Sequence, residues 1–157
     1  MQNMVLNKGF VEITPTASID VNRHGGRAKC LQRLIRLEMP VPTTVALDFA
    51  TVHDISQGTL PDIGMMLASF GDAPLLSVRP SSEDPDWGGP GAVMNIGMND
   101  DRYADYCERM GEGPASALYT RFVQSYAVNV ARLDPDMFDD VEGDGREALL
   151  QSLRAYE

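Results

Sequence analysis

Cysteine and histidine are scarce in this sequence, and each shortage removes a class of function. Two cysteines, Cys30 and Cys107, stand far apart in 157 residues, too few for a disulfide framework or a cysteine-based zinc site. The two histidines, His24 and His53, have neither metal-ligand nor phosphohistidine-like spacing, so no hydrolase constellation forms around them. There is no P-loop and no Gly-x-Gly-x-x-Gly. No apolar run approaches the ~18 residues of a membrane span, and no basic segment with an apolar core opens the chain. Positive charge is short as well. Against 23 Asp and Glu stand 13 Lys and Arg, a formal net charge of -10, which argues against nucleic acid or an anionic membrane as partner. The expectation is a cytoplasmic protein. An anionic ligand is still open to it, because phosphate needs only a few local cations and backbone N–H groups.

A hydrophobic content of 43% over 157 residues suits one ordinary domain with its own core. Phe10 to Ile13 reads as a first strand, followed by a polar linker through Asn22. From Gly26 the residues Cys30, Leu31, Leu34, Ile35 and Leu37 recur at helical spacing, and Pro40 and Pro42 stop the run. Thr43 to Leu47 is β-branched and strand-like; Phe49 to Ser56 and Asp62 to Phe70 read as short helices; Leu75 to Val78 is a short strand. Residues 80 to 91 hold prolines and glycines without periodicity, a long loop. Beyond Asp100 the pattern is helical. Leu118, Phe122, Tyr126 and Val130 form a core stripe widened by Tyr119 and Val123, Asp134-Pro135 ends it, and Glu147 to Tyr156 is one more helix. Strands alternating with helices, then a helical run, imply an α/β or α+β unit with a helical C-terminal segment.

Two stretches carry chemistry. In the first, Gly25 and Gly26 run into a helix, where backbone can approach a ligand closely and unpaired amides face an anion. On spacing alone a plain turn is the favoured reading. His24 beside the pair is a polar turn residue or a ligand contact. In the second, Ser77-Val78-Arg79 ends a strand ahead of the glycine-rich loop, which would aim a guanidinium into a cleft or leave it in solvent. Trp87 in that loop is a cover or a packing anchor. Asp140 to Gly145 mimics the opening of a calcium-binding EF-hand loop, but Gln151 stands where the closing Glu belongs. A solvated acidic turn fits better.

Gly25, Gly26, Leu31 and Met39 to Pro42, together with Ser77 to Arg79 and Asn95 to Asp100, resemble the start of the nucleotide-binding domain of pyruvate phosphate dikinases and phosphoenolpyruvate synthases. Tyr119 to Tyr126 is similar to a helix further along that domain, and the likeness spans roughly residues 8 to 141. The resemblance implies a partial ATP-grasp-like subdomain over residues 1–100 and a helical subdomain over 101–157. It implies that Gly25, Gly26, Arg27, Arg79 and Arg121 contact nucleotide phosphates, with Gly88, Gly89 and Gly91 in a loop that closes over them. ATP with Mg²⁺ would be the ligand, and phosphoryl transfer the family activity.

Two departures are visible. The family's phosphate-reaching lysine is Arg27 here, a planar fork in place of a compact ammonium. Glu83, Asp84 and Asp86 add carboxylates to the loop, which repel a polyphosphate unless Mg²⁺ intervenes. The family's metal-binding carboxylates correspond to positions beyond Glu157, so none is assigned here and no residue is assigned a catalytic role. The chain is thus expected to act as part of a kinase-like transferase when completed by further domains or a partner protein. The alternative is a stand-alone, non-catalytic binding or regulatory module, with a partner or a second copy covering an exposed apolar face.

Overall fold

A computed structural model describes residues 9–82 and 91–157. Their contacts group them into two units: residues 9–72 with 81–82, and residues 73–80 with 91–157. The division runs through the strand–loop motif, so residues 73–80 and 91–96 group with the later helices and Ser81-Ser82 with the glycine pair.

The first unit is built on a two-stranded antiparallel sheet, β1 (Phe10–Glu12) and β2 (Val45–Leu47), in the register Phe10↔Leu47, Val11↔Ala46, Glu12↔Val45. Bonds from Ile13 N–H to the Thr44 carbonyl (2.8 Å) and from Asp48 N–H to the Gly9 carbonyl (3.0 Å) extend it at both ends. Helix α1 (Val21–Arg36) packs its buried face on this sheet, with Ile13, Ile19, Ala28 and Ala46 as the core. Its start differs from the expectation. Asp20 accepts the Asn22 N–H (2.7 Å), an N-cap that starts a turn within the segment read as polar linker. At Gly25 the helix breaks, and it resumes at Gly26. The end is as the prolines require: Glu38 turns left-handed (φ 58) and Pro40 follows. α2 (Phe49–Ser56) is capped by Asp48, and α3 (Ile63–Leu67) by Asp62. The expected helix to Phe70 tightens into a 3₁₀ turn after Leu67.

In the second unit β3 (Leu76–Val78) pairs antiparallel with β4 (Val93–Ile96), a strand that the sequence shows only as an apolar run. The register shifts between Leu76 and Val78, and Asn95 sits at φ 57 with its amide donating to the Leu118 carbonyl (3.0 Å). A bulge held by a side chain explains why β4 lacks clean alternation. α4 (Asp100–Met110) starts at the Asn99 cap, and its Arg102 guanidinium donates to the carbonyls of Ala73 and Gly97. Gly111 (φ 91) separates α4 from α5 (Glu112–Asn129), which packs against α4, β4 and α6 (Gly145–Tyr156).

The α5 seam corrects the expected stripe. Its buried residues are Ala115, Ser116, Val123 and Ala127, whereas Tyr126 and Val130 are 38% and 49% exposed. Small side chains bring α6 close, and Phe122, Tyr126 and Tyr156 stack edgewise at the rim. α5 also stops at Asn129, before Asp134-Pro135, because Ala131 and Leu133 N–H groups turn back to Tyr126 and Ala127 carbonyls around Arg132 (φ 60). The result is an α+β fold with two small separate sheets. Among the described residues no helix is long and apolar enough to cross a membrane.

Candidate functional site

The turn before Gly25 is assembled from short-range bonds. His24 is buried, and its Nδ1 accepts the Asp20 N–H at 3.2 Å, which places the proton of the neutral ring on Nε2. Gly25 then adopts φ 82, ψ 166, a conformation open essentially to glycine alone. A Cβ there would also lie 2.6 Å from the Ser81 carbonyl carbon and 2.8 Å from its oxygen. The backbone that approaches the glycine is therefore the protein's own. Gly26 N–H donates to the Ser82 carbonyl (2.8 Å) and Ala28 N–H to Ser81 Oγ (3.3 Å). Two amides at the restarted helix N-terminus are thus satisfied by a segment more than fifty residues away.

The rest of α1 holds down the linker that precedes it. Gln32, with no exposed surface, donates from Nε2 to the carbonyls of Thr14 (3.0 Å) and Ala17 (2.7 Å). Lys29 Nζ donates to the Ile19 carbonyl (2.8 Å) and to Gln32 Oε1 (3.1 Å), and Arg36 Nε to the Pro15 carbonyl (2.8 Å). Four carbonyls of an irregular segment are met by three side chains of one helix. At the sheet end the buried Asp48 carboxylate receives Arg23 (3.2 Å) and Thr51 N–H (2.8 Å). Burial works to raise its pKa, but the Thr51 bonds and the Arg23 charge outweigh it and hold the carboxyl below its usual value.

Gly25, Gly26 and Arg27 lie together at the helix break, with Arg27 exposed on the first turn after it. Arg79 is exposed just past β3 and Arg121 is exposed on α5, both in the second unit. Gly91 donates its N–H to Asn129 Oδ1 (2.9 Å), also in the second unit. Gly88, Gly89 and Trp87, with Glu83, Asp84 and Asp86, lie outside the described residues. Gln151, which stands in place of a closing calcium carboxylate, accepts the Glu142 N–H (2.9 Å). Among the described residues no group of three or more His, Cys, Asp or Glu side chains is arranged to hold a metal.

Sequence reasoning did not single out Asp20, Gln32 or Ser81. Asp20 was legible as a cap two residues before Asn22. Nothing local marks Gln32 or Ser81, whose partners are far along the chain. In the second unit burial, with the Asp100 hydrogen bond (2.9 Å) and charge, pushes the Tyr119 phenol up to about 12. Neither a protein-family model nor a curated protein matches the sequence.

Proposed function

We propose that this chain recognises nucleotide phosphate, with ATP as the ligand, as the opening part of a dikinase- or phosphoenolpyruvate-synthase-like ATP-binding domain. The observation that supports this is the meeting of the glycine pair with Ser81-Ser82, which Pro80 separates in sequence from Ser77-Val78-Arg79. The resemblance links two motifs distant in sequence, and the loop that follows the second is bonded to the first. Arg27, exposed on the first turn after Gly25, supplies the cation. Arg79 and Arg121 are the further phosphate-contacting side chains by resemblance, and Mg²⁺ would arrive with the nucleotide.

A second reading, a non-catalytic binding or regulatory module, draws support from the same contact. The Gly26 and Ala28 amides that would face a phosphate already have partners, so recognition rests on arginine side chains rather than on the helix terminus. Calorimetric titration with MgATP tests both. Arg27→Ala and Arg79→Ala should each weaken binding by roughly tenfold or more, the loss expected for a charged hydrogen bond. Absence of binding at millimolar MgATP, or indifference to both substitutions, would sink nucleotide recognition. Binding without phosphoryl transfer would favour the second reading.

A further inference from the structure

Charge is unevenly placed along this chain. α1 carries five of the 13 cationic side chains and no carboxylate, although the protein's net charge is -10. Two of them, Arg33 and Arg36, stand exposed in its last turn. Leu37 and Met39 follow at once, 72% and 53% exposed, and Leu37 is the most exposed large apolar side chain among the described residues. Cations at a helix C-terminus complement its dipole. That does not account for two apolar side chains left in water beside them. The opposite extreme is the segment 134–147, with seven carboxylates and one arginine. All seven are exposed, and among the described residues none of them is in an ion pair.

We propose that the C-terminal end of α1 docks the acidic segment 134–147 of a second copy of this chain. Charge complementarity selects the occupant: a basic, partly apolar helix end meets the most carboxylate-dense stretch of the described sequence, with Leu133 exposed at its edge. Taken as reciprocal, the exchange is a self-complementary contact that closes as a twofold dimer rather than a filament. Single exposed ion pairs contribute little. The association therefore rests on several charges acting together and is sensitive to salt. It uses Arg33 and Arg36, not the residues assigned to phosphate.

Sedimentation velocity on the intact chain tests this. Dimer should form at low salt, and its dissociation constant should rise at least about tenfold between roughly 0.02 M and 0.5 M salt as screening shortens. Arg33→Glu with Arg36→Glu should abolish it, and so should Asp139→Lys with Asp140→Lys. Mixing the two variants should restore a one-to-one dimer, because both contacts again join opposite charges. Arg36 also bonds the Pro15 carbonyl, so Arg33→Glu alone, with circular dichroism as the folding check, serves if the double variant unfolds. A chain that is monomeric at low salt over its soluble range overturns the proposal. So does dimer unaffected by the Arg33 substitutions, or a mixture of folded variants that stays monomeric.

Discussion

In the first unit the buried Gln32 directs its amide hydrogens to the backbone of Thr14 and Ala17; in the second, the equally buried Ser152 meets the Gln124 side chain, at 2.9 Å, across two helices. Ser116 repeats the second pattern with Tyr103, also at 2.9 Å. A side chain bonded to backbone dictates the path of a segment that has no ladder of its own. A side chain bonded to another between helices sets only their register, while small neighbours such as Ala115 and Ala127 do the packing. The two units therefore fail differently when a polar group is removed. The first loses a chain path, the second a modest alignment.

The largest effect expected is at Gly25. Gly25→Ala adds a Cβ against Ser81 backbone at a left-handed φ and should cost about 3 kcal/mol or more in urea unfolding, or prevent folding. Gly26→Ala is its control. The nearest atom there is 3.6 Å away, and the helical position should accept alanine with a gain of up to about 1 kcal/mol. Equal losses at the two glycines would break the asymmetry described for the turn.

Next comes Gln32→Leu. It strands two half-buried carbonyls and the Lys29 contact, and should lower unfolding free energy by about 2 kcal/mol. A loss below that of Ser152→Ala would erase the distinction between the units. Asp48 sharpens the comparison through pH. Its folded pKa is depressed, so its contribution is full above the unfolded value of about 3.9 and is lost as pH falls through the folded one. Asp48→Asn should cost about 1 kcal/mol near neutrality, modest because Arg23 is half-exposed. The gap from the parent should close on acidification. Ser152→Ala should have the smallest effect, about 1 kcal/mol or less, since it removes one neutral bond between helices.

Much of the element order was legible because it rests on local signals. The prolines after Leu37 and the β-branched residues before Leu47 act within a few positions of where they appear. β4 was legible only as an apolar run, since its bulge at Asn95 depends on the Leu118 carbonyl. The α5 seam misled because large residues dominate a periodicity reading, whereas Ala115, Ser116 and Ala127 allow the close approach. At the candidate site the glycine pair was visible and its neighbour was not. Ser81 is an unremarkable loop serine until the fold sets it against Gly25.

The break at Gly25 also supplies a gauge. Gly26 and Ala28 begin a helix, where amide protons ordinarily exchange with solvent almost freely, yet here both are held by Ser81-Ser82. Their exchange rates therefore time the detachment of that segment. Two resonances followed in heavy water would report how often Ser81-Ser82 let go of the turn, with or without nucleotide present.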